Sequence, residues 1–221
     1  MCGRYTINIG RKRFETVYQV QAPLEFEPRF NVAPTQTAPV IVQGQESLET
    51  SMMRWGFQRP NQPQPLINAR GETIRQLPTF ASSFRSRRCL VPATGWYEWQ
   101  TLNGKKQPYY LSGSDQELLA FAGIWTPSQD GECFAIITSA ANTETSHIHN
   151  RQPVIIARDR WKVWLSDSPL SELEAMLEPV GVGGLSFYPV GTRVGSVKND
   201  DEGLLKKLLL PNDSDDLPLF S

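Results

Sequence analysis

The chain predicts an α+β fold, with a mostly antiparallel, barrel-like β core and flanking helices. Three observations carry that reading. Its apolar runs are short and rich in β-branched and aromatic residues, an Asn103–Gly104 pair joins two of them as a hairpin, and helical spacing appears only in brief stretches between them. The first residues open with a strand, after which Arg11–Val20 sets Phe14, Val17 and Tyr18 at helical spacing. Pro39–Val42 and Met52–Trp55 read as strands. Gln58–Pro65, QRPNQPQP, reads as a polar loop with no helix or ladder potential, because its prolines withhold backbone donors. Arg88–Val91 and Trp96–Gln100 follow as strands, the second turning at Asn103–Gly104 into Lys106–Leu111. Leu118–Trp125 and Phe134–Thr138 are apolar, β-rich runs. Asp159–Leu165 and Ser168–Leu177 read as helices, with Ser168 as the N-cap of the second. A strand at Leu185–Val190 and a helix over Asp201–Leu209 complete residues 1–210, expected to form one domain. The tail after Pro211, NDSDDLPLFS, is expected to be disordered.

Composition bounds the function. A length of 221 residues is long for one domain and short for two, which favours a single domain. Apolar residues at 39% supply a core, and a net charge of −1 excludes global basicity, so any nucleic-acid contact must come from a local patch. Cys2, Cys89 and Cys133 are odd in number and follow no pattern, which points to reduced thiols in a cytoplasmic setting. No apolar run nears the roughly 20 residues that span a bilayer, and charge interrupts the opening residues where a signal peptide needs an apolar core. A cytoplasmic monomer with no membrane partner is expected.

The most informative group follows from Cys2. Removal of Met1 would expose a 1,2-aminothiol, whose amine and thiol ordinarily titrate at about 8 and about 8.5. An aldehyde meeting it would be captured first by nitrogen as an imine and then by sulfur as a thiazolidine ring. The same two letters also allow an ordinary small buried residue. In Trp96–Gln100, period-two alternation puts Trp96, Glu98 and Gln100 on one face, with Tyr97 and Trp99 on the other. A carboxylate beside an indole loses hydration, which raises its pKa toward neutrality and suits it to proton transfer. His147 and His149 are the only histidines, and no further ligands stand at useful spacing, so neither a metal nor a cofactor is expected. Arg85, Arg87 and Arg88 form a local basic run.

Six segments carry a wider pattern: MCGRY, FNVAPTQ at Phe30–Gln36, LINARGET at Leu66–Thr73, RCLVPATGWYEW at Arg88–Trp99, SHIHNRQPVII at Ser146–Ile156, and YPVGTRVGSVKND at Tyr188–Asp200. Together, and in this order, they closely resemble the SOS-response-associated peptidase (SRAP) family, whose members act on abasic sites in single-stranded DNA. The resemblance runs from residue 2 to about residue 200 and implies a covalent bond between Cys2 and the abasic aldehyde. It also implies Glu98 taking a proton from the α-amine, His149 as the acid that opens the closed sugar, and Asn68 orienting the amine and the sugar oxygens. His147 is then an ordinary polar residue. Arg4, Arg70 and Arg151 lie inside the signature segments and, with Arg85 and Arg88, are expected to reach phosphates, where a planar guanidinium bonds bidentately. After Trp55–Gly56 close bacterial relatives carry further tryptophans, whereas here Phe57 is the only aromatic, so base stacking is not implied there.

The implied activity is single-turnover crosslinking that shields the lesion and associates the protein with the nucleoid. Self-removal of Met1 and lyase-type reactivity belong to the same picture. Two other readings stay open. A class II glutamine amidotransferase also begins Met-Cys-Gly, but here Arg4 follows and its asparagine-glycine-glutamate motif is missing. A purely non-covalent single-strand or junction binder would use the groove without the aminothiol. Finally, Asp216–Phe220, DLPLF, resembles the short sliding-clamp motif with Asp216 in place of its glutamine, which makes the clamp a possible partner; the alternative is that these apolar residues pack back onto the domain.

Overall fold

Five strands close on one another in the computed structural model, which describes residues 2–59, 62–102, 104–114, 118–178 and 184–209. In chain order the elements begin with β1 (Tyr5–Ile7), α1 (Arg11–Tyr18), β2 (Arg29–Val32), β3 (Thr37–Gln43), β4 (Leu48–Trp55), β5 (Phe57–Arg59), β6 (Gln62–Leu66) and β7 (Asn68–Arg70). They continue with α2 (Pro78–Ser86), β8 (Arg88–Ala93), β9 (Gly95–Leu102), β10 (Lys105–Gly113), β11 (Leu119–Ser128) and β12 (Gly131–Ala140). Last come β13 (Arg151–Pro153), α3 (Trp161–Leu165), α4 (Leu170–Ala175) and β14 (Leu185–Pro189). The ring runs β11–β8–β3–β4–β12 and back to β11, which leaves no open edge between its members. Its pairs are antiparallel except β12 with β4; β7 also joins β12 in parallel. A second sheet, β14-β10-β9-β1-β2, is antiparallel throughout. The α+β, mostly antiparallel and barrel-like expectation therefore holds.

Aromatic rings join the two sheets. Tyr5 of β1 meets Trp55 edge-on at 5.2 Å, and Trp96 of β9 meets Phe121 edge-on at 5.8 Å, all four fully buried. On the opposite face of the second sheet, Tyr97 and Tyr110 pack with Val190, Val194 and Leu204. The alternation read in WYEW is thus the alternation between two cores. Leu102 stands opposite Lys105 and Gly104 adopts φ +74°, as a tight hairpin requires.

Two signature segments fasten this sheet. Asp200 accepts the backbone N–H groups of Phe30 and Asn31 at 2.5 and 2.9 Å and pairs with Arg29. Asn31, fully buried, donates to the carbonyls of Val194, Ser196 and Asn199 at 2.8–3.2 Å. FNVAPTQ and YPVGTRVGSVKND are therefore two halves of one polar lock.

Several elements differ from expectation. Within the stretch read as a loop, residues 58–59 and 62–65 are strand: β5 and β6 pair, with Phe57 opposite Leu66 and Arg59 opposite Gln62. A two-stranded ribbon leaves one side of each strand unpaired, so Pro63 and Pro65, two residues apart, need donate nothing. Ser168 does not cap a helix; its hydroxyl meets that of Ser166 at 2.9 Å, and α4 starts beyond Pro169, whose carbonyl accepts from Glu172 and Leu173. Over Asp201–Leu209 only a 3-10 turn forms, Glu202–Leu205, because the chain then spends its backbone groups on β14's end, Leu208 N–H donating to Pro189 at 2.8 Å. Helix α2 had no forecast; Pro78 opens it and it buries Phe80 and Phe84 at i, i+4. Among the described residues, no helix is long and apolar enough to cross a membrane. The tail after Pro211, with Asp216–Phe220, lies outside the described residues.

Candidate active site

Cys2 sits three residues ahead of the start of β1, with its side chain fully buried. Its carbonyl accepts a hydrogen bond from Asn68 Nδ2 at 2.9 Å. Asn68 is delivered by β7, which lies parallel to β12 with Asn68 opposite Ile136. The other amide atom of Asn68, Oδ1, is buried with no partner among the described residues. Burial raises the Cys2 thiol well above its ordinary range, and the Glu98 carboxylate raises it further. The thiol is therefore protonated at neutral pH in this arrangement.

Glu98 comes from the Trp96 face of β9 and is 2% exposed. Burial pushes its carboxyl from 4.5 up to about 7, with the positive charge of the chain's N-terminus pulling in the opposite direction. Near neutrality this group both holds and releases a proton. Across from Glu98 Oε2, at 3.9 Å, stands His149 Nδ1. Burial lowers the His149 pKa, so its ring is neutral at physiological pH. Nδ1 lies 3.0 Å from the Arg151 N–H, which donates to it in the tautomer that carries its proton on Nε2.

The loop that delivers His149 is shaped by a knot that the residue pattern did not advertise. Asn142 Oδ1 accepts from the Thr145 N–H at 3.0 Å and Gln152 Oε1 from Asn142 N at 3.1 Å, while the single proton of the Thr145 hydroxyl is shared between Asn142 Oδ1 and Gln152 Oε1 at 2.8 and 3.0 Å. The spacing of Asn142 and Thr145 was the only available signal, an Asx-type turn that gives no hint of its distant partner. His147, two residues from His149, is exposed and rests edge-on against Phe187 at 5.3 Å.

The five arginines divide sharply. Arg70 ends β7 on the Asn68 side and is exposed, as is Arg85 on the last turn of α2. Arg4 is half-buried beside Cys2, donating to Gly3 and Gly195 carbonyls at 2.9 and 3.5 Å. Arg88 corrects the expectation of a phosphate contact. Only 5% exposed, it spends its guanidinium on the carbonyls of Phe84, Arg85, Trp164 and Ser166 at 2.5–2.8 Å, tying the ends of α2 and α3 together. Carbonyls left over at two helix ends present a better-matched target than a distant phosphate. Arg151 is partly exposed: Glu72 holds it bidentately at 2.5 and 3.0 Å, and Thr138 accepts from it through both carbonyl and hydroxyl. Among the described residues no cluster of His, Cys, Asp and Glu is arranged to hold a metal.

Comparison with known proteins gives this arrangement a setting. Residues 1–197 match the family model described as SOS response associated peptidase (SRAP). The chain is 33% identical over 221 residues to the abasic site processing protein YoaM of Bacillus subtilis, covering 93% of this chain and 97% of that one. It is 30% identical over 222 residues to the abasic site processing protein YedK of Escherichia coli, covering 93% and 99%. A crystal structure of a protein from Bacteroides thetaiotaomicron superposes with a TM-score of 0.81 over 94% of this chain and 100% of that one; at 23% identity it is similar in fold.

Proposed function

The chain belongs to the SOS response associated peptidase family, and from that premise we propose that it captures the aldehyde of an abasic site in single-stranded DNA as a thiazolidine on Cys2. The observation that carries this reading is the convergence of Cys2, Asn68 and Glu98, with His149 3.9 Å beyond, from four separate segments of the chain. Once Met1 is removed, the Cys2 α-amine is the first nucleophile. Glu98, titrating at about 7, takes the proton that an ammonium must lose, while Asn68 Oδ1 offers an acceptor to the amine or a sugar hydroxyl. His149, through Nε2–H, donates to the ring oxygen as the sugar opens. Nitrogen then bonds to C1′ with loss of water, giving the imine. The thiol, protonated by burial, adds across C=N, sulfur to carbon and proton to nitrogen, and the ring closes without a cofactor. Holding both partners in one site removes several kcal/mol of the barrier, on the order expected of an intramolecular reaction. Arg70, Arg85 and Arg4 supply the phosphate contacts, and the product shields the lesion in a single turnover.

The test combines mass spectrometry and trapping. The mature protein should begin at Cys2 and form a heat-stable adduct with an abasic single strand, whereas Cys2→Ala should leave at most a reducible imine. A retained Met1 in the crosslinking-competent protein, or an undiminished stable adduct from Cys2→Ala, overturns the assignment.

A further inference from the structure

Glu72 belongs to the LINARGET segment, yet neither the aminothiol chemistry nor phosphate binding gives it a task. It lies in the 3-10 turn Gly71–Thr73, directly after β7, and is half-exposed. Its two oxygens grip the Arg151 guanidinium, Oε1 to Nη1 at 2.5 Å and Oε2 to Nη2 at 3.0 Å. The same Nη2 donates to Thr138 O at 2.6 Å and Oγ1 at 3.2 Å. Thr138 is fully buried in β12, opposite Arg70 of β7 and Pro153 of β13. One guanidinium therefore spans the strand that carries Asn68 and the strand that follows His149.

What Arg151 does with its backbone gives this clamp a consequence. Its N–H lies 3.0 Å from His149 Nδ1, and its own carbonyl lies 3.2 Å from the same ring nitrogen. The shorter of the two contacts is the N–H, which donates to bare Nδ1, so the Arg151 backbone in this geometry favours the ring that carries its proton on Nε2. Glu98 Oε2 faces that nitrogen at 3.9 Å. A bidentate carboxylate fixes an arginine in both distance and plane, which a single hydrogen bond does not.

We propose that Glu72 is a positioning residue: by clamping the Arg151 guanidinium against Thr138, it fixes the Arg151 backbone that holds the His149 ring beside Glu98. Arg151 is then a brace for the His149 loop. The catalytic part of this inference rests on the abasic-site reading above; the structural part does not. Burial keeps the His149 ring neutral, consistent with a backbone that must select between tautomers.

The test separates the two. Long-range nitrogen–proton NMR of the free full-length protein reads the His149 tautomer without DNA. The wild type should show one tautomer, with the proton on Nε2, and Glu72→Ala a mixture of both. With abasic single-stranded DNA, the crosslinking rate at saturation should fall about tenfold in Glu72→Ala, while the half-saturating DNA concentration stays within about twofold. Arg151→Lys should show the same mixture of tautomers, and the double variant should crosslink no more slowly than Arg151→Lys alone, because the pair acts as a unit. An unchanged tautomer in Glu72→Ala overturns the proposal whatever the crosslinking assay gives. Tighter DNA binding with an unchanged saturating rate also overturns it, and would make Glu72 a stand-in for phosphate. A shifted tautomer in a wild-type protein that forms no adduct would uphold the clamp and sink the abasic-site reading alone.

Discussion

Replacing Glu98 by Gln should change how stability depends on pH, and the sign follows from burial. The folded carboxyl titrates at about 7 and the ordinary one at 4.5. Between these values the folded state keeps a proton that the unfolded state has lost, so wild-type stability falls as pH rises through that window and is flat on either side. Each pH unit of difference corresponds to about 1.4 kcal/mol, so the full window costs the wild type about 3 kcal/mol, and a side chain 2% exposed needs no large discount for solvent. Gln keeps the shape and has no charge to bury. Urea unfolding of wild type and Glu98→Gln at intervals from acid to mildly alkaline pH gives the difference directly, with other titrating groups common to both. The variant should gain about 3 kcal/mol relative to wild type across the window. A difference that stays constant within about 0.5 kcal/mol would refute the reasoning, since no buried proton would then be coupled to folding. The wild-type crosslinking rate should rise through the same window as Glu98 ionises, and Glu98→Gln should lack that rise and be about 10²-fold slower.

Other outcomes follow from the same geometry. His149→Ala should slow crosslinking in rapid-quench assays while His147→Ala leaves the rate unchanged, because only His149 faces Glu98. Arg88→Met should lower unfolding stability by about 3 kcal/mol, stranding the carbonyls at the ends of α2 and α3, without altering the salt dependence of single-strand binding. Arg70→Ala and Arg85→Ala should each reduce the slope of log affinity against log salt by about one, measured by fluorescence anisotropy, and leave the urea midpoint in place. If Asp216–Phe220 is a clamp motif, a peptide spanning Asn212–Ser221 should bind the organism's sliding clamp in the micromolar range by calorimetry and lose that binding when Leu219 and Phe220 become Ala; no binding at about millimolar clamp dismisses the motif.

Much of this protein was decided by local rules that a linear reading can apply. Period-two alternation in WYEW set Trp96 and Glu98 on one face and Tyr97 on the other, since a strand's side chains must alternate whatever it packs against. The Asn103–Gly104 turn needed only a residue tolerant of positive φ. The chemistry of an N-terminal Cys is likewise a property of the residue itself, and the order of six short segments was enough to indicate the family. What the chain could not disclose were decisions made by distant partners. β5 and β6 pair as a ribbon because only their two-stranded setting excuses Pro63 and Pro65 from donating. Asp201–Leu209 leaves the helix because β14 claims its backbone. Arg88 and Arg151 read alike in the sequence because a guanidinium donates to any well-placed oxygen. The fold buried the first against helix-end carbonyls and set Glu72 against the second, which stays partly exposed. Whether an arginine meets solvent or an internal acceptor depends on which carbonyls and carboxylates the closed barrel brings within 3 Å, a distance set by tertiary packing and invisible to sequence spacing.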